Sequence, residues 1–242
     1  MSNCIAIGFT SFKLNLKRSS FLVFALLLSM IFGVFMYRRG TSPEFINSSV
    51  MMLSKFMGYY LVFMSAEVFS KEFQNGFYKY VHTSGMSEGR IILYKTISVL
   101  FTALLFFVMV SGVHLSVITM QSADADIKML GKGALIFLIV ALHYSSAAAL
   151  LTALLNRYKA TLFSMLICYI ALPYVYTMYR AFTGGESELV RAIPCVSMDY
   201  TLMTYDIRMH ELVINLVLTA VFFVMAMYVA KNKDIKADSS EE

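Results

Sequence analysis

The chain has 242 residues, 59% of them hydrophobic, with 20 Lys and Arg against 15 Asp and Glu for a formal net charge of +5. Soluble domains average about 45–50% apolar, so this composition, with a mean hydropathy of +0.69, excludes an ordinary soluble domain and indicates an integral membrane protein. The positive balance needs no nucleic acid, because Lys and Arg collect in the cytoplasmic loops of membrane proteins, and no G-x-x-x-x-G-K-[ST] loop is present to cradle a phosphate.

Residues 1–18 place Ile5, Phe9, Phe12 and Leu16 at helical spacing, with Lys13, Lys17 and Arg18 towards the end. This predicts an amphipathic helix lying in the headgroup region. Six hydrophobic stretches follow, at about 19–37, 50–69, 91–120, 133–155, 161–180 and 210–230. Each reaches the length of about 20 apolar residues that a transmembrane helix needs. The third exceeds one crossing, so its first turns are expected to stand in the cytoplasm. The first ends in Met36-Tyr37-Arg38-Arg39, without small residues, and is not read as a cleavable signal.

With the N-terminus inside, Lys and Arg divide twelve in cytoplasmic segments to seven in outer loops, with Lys55 inside a span. The bias predicts that both termini are cytoplasmic, with Arg38-Arg39 running against it. Lys55 and Glu67 lie near opposite ends of the second span and are expected to snorkel towards water.

Ser70 to Lys95 is the longest polar interruption of the first half. Phe73, Phe77, Tyr80 and Val81 recur at spacings of three and four, one apolar face of a short surface helix. Gly85 supplies a helix stop, and Ser87 suits the N-cap of the next helix, with Arg90 and Lys95 beyond. The pattern fits a cytoplasmic docking helix or a solvated interfacial loop.

In the fourth span, Ala141, Ser145, Ala149 and Ala153 repeat every four residues, spacing that lets helices approach closely in lipid. His143 lies mid-span beside Ser145, so these two are candidates for a polar translocation path, against a hydrogen-bonded structural histidine. The histidines show no metal spacing, and Cys4, Cys168 and Cys195 suggest neither a disulfide framework nor a zinc cluster. Pro173 should kink the fifth span or end its regular part, with Tyr174, Tyr176 and Tyr179 as an interfacial belt.

Residues 181–209 form the longest outer segment. Ser187 is placed to cap a short helix through Ile193, and Pro194 to begin another. Leu189, Ile193, Val196, Tyr200, Met203 and Ile207 offer an apolar side. The tail from Lys231 to Glu242 is charged and expected to be disordered. The reading is thus a single all-α transmembrane domain, 1–230, with a cytoplasmic tail, 231–242.

Glu72, Gly76, Gly85, Ser87, Arg90 and Lys95 stand in an order that resembles the stretch after the second span of ABC-2 type permeases, the membrane subunits of a class of ABC transporters. Gly85 departs from that pattern, where many members have Pro. The resemblance covers the six-span layout of the whole chain. It implies a coupling helix contacting an ATPase through Glu72, Phe73, Gly76, Phe77, Tyr80, Gly85, Ser87, Arg90 and Lys95. It also implies two re-entrant helices dipping into the outer leaflet around Leu189, Ile193 and Pro194.

It further implies two copies, or one copy with a homologous permease, two ATPase subunits carrying ATP and Mg, and no cofactor on this chain. The place is the cell (cytoplasmic) membrane, in contact with lipid. The small, domain-poor form suggests export of amphipathic or antimicrobial peptides, with a drug or lipid as the alternative substrate. Two other classes stand beside it: an intramembrane enzyme, for which His143 lacks an accompanying H-E-x-x-H, and a non-transporting sensor or assembly factor.

Overall fold

The computed structural model of the chain describes residues 2–18, 20–39, 42–74, 87–121, 127–184, 188–206 and 208–232. Among these the regular elements are all helical. Five helical stretches are long and apolar enough to cross a membrane: Glu44–Lys71, Gly89–Met120, Gly131–Leu155, Tyr158–Thr183 and Met209–Asn232. They mark the chain as a membrane protein. The first expected span corresponds to helix α2 (Ser20–Arg39), whose apolar stretch Ala25–Arg38 is shorter.

Helix α1 (Ser2–Arg18) packs on α4 (Glu88–Gln121). The contact is close because Gly8 has no side chain: a Cβ there would lie 2.6 Å from Ile97 Cγ2 and 3.0 Å from the Tyr94 carbonyl oxygen. Phe9 and Phe12 meet Phe101, with centroids at 5.2 and 5.7 Å. Ile5 and Phe9 are exposed, so the predicted apolar stripe is shared between the helix below and the surroundings.

Helix α3 runs from Pro43 to Gln74, longer at both ends than its hydrophobic run. Ser70–Gln74 therefore continue the span, with Glu72 and Phe73 on its last turn, and the rest of the expected surface helix, 75–81, lies outside the described residues. The next helix starts where Ser87 predicted, its carbonyl accepting from the amides of Arg90 and Ile91 at 2.9 and 3.2 Å. Helix α5 (Ile127–Leu155) is the central post of the bundle. Ala141, Ser145 and Ala149 are buried on it, as small residues that admit neighbouring helices should be. It ends at Asn156, in the left-handed region at φ 53°, whose amide donates to the Thr152 carbonyl.

The fifth hydrophobic run folds as α6 (Tyr158–Leu166), a π-helical turn (Ile167–Ala171) and α7 (Leu172–Thr183). Pro173 was expected to kink or end the regular helix. The irregularity instead precedes it: the Leu172 amide donates to Ile167 O, five residues back. A proline has no amide to return to the preceding turn, and the wider π turn accommodates that loss. Gly184, at φ 67°, closes α7 by donating to the Arg180 carbonyl. Tyr174 and Tyr179 are exposed while Tyr176 is buried.

Two short helices follow, α8 (Glu188–Arg191) and α9 (Pro194–Thr204), before α10 (Met209–Asn232). Pro194 starts α9 as the sequence predicts, while α8 stops at Arg191, short of Ile193. The predicted apolar side of this segment needs correction. Ile193 and Met203 are exposed, whereas Val196 and Leu202 are buried together with Ser197, Asp199 and Thr201. Helix α9 is buried along most of its length, with Asp199 paired to Lys55 and Ser197 to Asn215 of neighbouring helices.

Successive long helices run antiparallel, which gives the bundle two ends. The proximal end holds the C-terminus of α3 and the start of α4, tied where Lys95 Nζ donates to the Phe69 carbonyl at 3.1 Å. The distal end holds α8, α9 and the start of α10.

Candidate functional site

The polar groups inside the distal half form one connected set. Lys55, on α3, pairs with Asp199 of α9, Nζ to Oδ2 at 2.9 Å. Its side chain keeps 15% of its exposure and that of Asp199 6%, so Lys55 does not snorkel free as expected but is taken up by a carboxylate inside the fold. Tyr59, one turn along α3, also bonds the Asp199 carboxylate, and Ser54 meets the Tyr205 hydroxyl. Burial raises the Asp199 carboxyl above its ordinary value, opposed by the Lys55 ammonium and the two hydrogen bonds. Gly58 leaves the space that Leu202 occupies, which brings α9 hard against α3.

A second ion pair closes the other side. Arg191 Nε lies 2.8 Å from Glu211 Oε1, with both side chains nearly sealed at 4% and 1%. The guanidinium also stacks on Tyr200, 3.8 Å from the ring centroid. From Glu211 the polar groups continue down α10 at intervals of four residues. Asn215 Nδ2 donates to Ser197 Oγ of α9 at 3.0 Å and to the Glu211 carbonyl at 2.8 Å. Thr219 Oγ1 donates to the Asn215 carbonyl at 2.7 Å and meets His143 Nδ1 at 2.9 Å. His143 Nε2 accepts from Tyr169 OH at 2.9 Å.

Helix α10 therefore turns a polar stripe inward: its buried residues are Glu211, Asn215, Thr219 and Ala226. That is the expected arrangement for polar groups at membrane depth, which must pair inside the protein. The spacing 211, 215, 219 was present in the sequence as a helical signal. Arg191 and Asp199 lacked any such local pattern, because their partners lie on other helices.

Of the predicted path residues, His143 is fully buried with both ring nitrogens engaged, the structural reading of that residue. Ser145 returns its hydroxyl to the Ala141 carbonyl of its own helix at 2.7 Å. At the proximal end, Lys95 is buried at 4%, with its ammonium on the Phe69 carbonyl and 5.7 Å from the Phe69 ring centroid. Its position fixes the end of α3 against the start of α4. Glu67 pairs with Lys71 one turn on. Arg90 and Ser87 are exposed. Gly76, Phe77, Tyr80 and Gly85 lie outside the described residues, as do the side chains of Glu72, Phe73 and Leu189.

An open groove of 820 Å³ separates α2 from α4, lined by Ser29, Met30, Gly33, Met109, Gly112 and Met120 among others. It brings no charged side chains together. Among the described residues no group of three or more His, Cys, Asp or Glu is placed to hold a metal ion, and the three cysteines are unbridged. No protein-family model and no curated protein matches the chain.

Proposed function

We propose that this chain is the membrane-spanning permease subunit of an ABC transporter. Counting α2, six spans cross the cell membrane with both termini in the cytoplasm, and residues 70–95 form the surface that couples to an ATPase. The observation that carries the reading is the layout: a surface helix α1 docked on α4, a polar stretch between α3 and α4 at the proximal end, and paired short helices α8 and α9 at the opposite end.

In this account the permease acts as a pair, with itself or a homologous partner, and two ATPase subunits supply ATP hydrolysis with Mg. Glu72, Arg90 and Ser87 offer polar contacts at the coupling surface, while Phe73, Phe77 and Tyr80 supply its apolar anchors, since rigid coupling depends on buried anchors more than on exposed charge. Lys95 acts from behind, holding α3 and α4 together so that a push on the loop moves both. Export of an amphipathic or antimicrobial peptide suits a chain of this small size.

Affinity purification of the tagged chain from its native membrane tests the proposal. A P-loop ATPase eluting in stoichiometric amount supports it. A chain that elutes from its native membrane without any P-loop ATPase overturns it.

A further inference from the structure

We propose that the groove between α2 and α4 seats one anionic phospholipid of the distal leaflet, an acyl chain lying between the helices and the phosphate held at Arg38. The inference takes from the six-span reading only that α2 crosses the bilayer, and needs neither an ATPase nor transport.

The groove has the length of one leaflet. Both helices run from the proximal to the distal end, and its walls reach from Leu26 to Tyr37 on α2 and from Met109 to Met120 on α4. At the α-helical rise each wall is about 16 Å long, half of a hydrocarbon core about 30 Å thick. Its depth comes from missing side chains. A Cβ on Gly112 would meet nothing within 4 Å, and one on Gly33 only Val113 Cγ1 at 3.7 Å. The two serine hydroxyls are turned back to their own helices, Ser29 Oγ donating to the Ala25 carbonyl at 2.8 Å and Ser116 Oγ to the Gly112 carbonyl at 2.7 Å. Below Tyr37 the walls therefore offer an occupant hydrocarbon and no free donor. Met30, Met109 and Met120 line it, flexible side chains that shape themselves to a mobile partner such as an acyl chain.

The charge at the mouth selects the headgroup. Arg38 is exposed. It stands one turn beyond Val34, as Val34 does beyond Met30, so it continues the row of α2 that lines the groove. Arg39 follows it, and this pair runs against the charge bias of the other loops. A guanidinium at headgroup level binds phosphate through parallel N–H bonds. The same charge disfavours a second copy as occupant. Two copies paired across this groove, inserted in the same sense, would bring both Arg38 side chains to one depth at a shared two-fold seam, like charge facing like charge.

The test uses the full chain in phosphatidylcholine liposomes, without nucleotide or ATPase. A trace of phosphatidylglycerol or of phosphatidylcholine carries a diazirine in its acyl chain, and cross-linked residues are mapped by mass spectrometry. Leu27 and Ile31, exposed on α2 and outside the groove, report ordinary lipid contact. Phosphatidylglycerol should label the groove residues about fivefold more than phosphatidylcholine, the equivalent of about 1 kcal/mol for one basic residue at the membrane surface. Leu27 and Ile31 should show no such preference. Arg38→Gln should bring the two lipids to parity in the groove. Gly112→Leu, which the open space accommodates, should reduce groove labelling by both lipids and leave Ile31 unchanged. Equal groove labelling by the two lipids in the wild type, or a preference that survives Arg38→Gln, overturns the headgroup site. Groove labelling that Gly112→Leu does not reduce overturns the seat of the acyl chain. Groove residues left unlabelled by either lipid while Leu27 and Ile31 are labelled give the groove to a second copy and overturn the proposal, with α2 still a span. No label at Leu27 or Ile31 removes α2 as a span and the site with it.

Discussion

Replacing Lys55 by Met should cost more than any surface charge change, and the structure sets the size. Asp199 would lose its ammonium partner at 2.9 Å while its side chain stays 6% exposed, with the Tyr59 hydrogen bond retained. Removing one member of a buried pair costs about 3–5 kcal/mol. The lower end applies, because Lys55 retains some exposure and the stranded carboxyl can take up a proton. For a chain of this length, about 3 kcal/mol corresponds to a midpoint shift of roughly 6–12 °C.

The pH dependence follows from the direction of the Asp199 shift. Burial raises its carboxyl above 3.8, so the folded chain holds this proton more tightly than the unfolded chain. Stability tied to this group is then full below the ordinary carboxylate value and lost as pH rises through the raised one. Lys55→Met removes an influence that lowers the Asp199 value, so the variant should regain part of its loss on mild acidification. The chain has no Trp, so the assay is thermal denaturation followed by size-exclusion of a fluorescent-protein fusion in detergent. Lys55→Met/Asp199→Leu should lose less than the sum of the single changes. Additive losses, or a Lys55→Met shift under about 2 °C, would refute the claim that this pair anchors α9 to α3.

Gly8→Leu should lift α1 from α4, since even a Cβ there approaches Ile97 at 2.6 Å; faster maleimide labelling of Cys4, half-buried in the wild type, is the readout. His143→Ala should cost about 1–3 kcal/mol for the stranded Tyr169 hydroxyl, since Thr219 keeps its bond to the Asn215 carbonyl, measured as the same thermal shift. Val196→Asp should destabilise the chain more than Ile193→Asp, because Val196 is 5% exposed and Ile193 45%; equal effects would show that the buried side of α9 is misassigned.

The long elements were legible because each is a continuous apolar run, and the helix starts at Ser87 and Pro194 because capping and proline geometry act locally. The end of α3 was not: Ser70 and Lys71 read as a polar break, yet the backbone stays helical to Gln74, with Ser70 buried and Lys71 paired to Glu67 one turn back. Lys55 was read as free to reach water because its partner is 144 positions away, at Asp199, a distance no local pattern spans. The same holds for Arg191. Its charge looked like part of an outer loop, and only the fold brings it to Glu211 at the start of α10. By contrast, the spacing of Glu211, Asn215 and Thr219 held a helical signal that the reading of the sequence did not use; it marks the side of the last span that turns inward.

The most direct test of the account is the ATP turnover of a P-loop ATPase that co-purifies with the chain, reconstituted with it in liposomes, comparing wild type with Glu72→Ala, Gly76→Leu, Phe77→Ala and Tyr80→Ala, each first shown to insert. The account predicts that the wild-type permease binds the ATPase and alters its turnover, and that the four variants insert but lose binding or that effect. Four variants that bind the ATPase and alter its turnover as the wild type does, or a wild-type permease with no effect on it, would contradict the assignment.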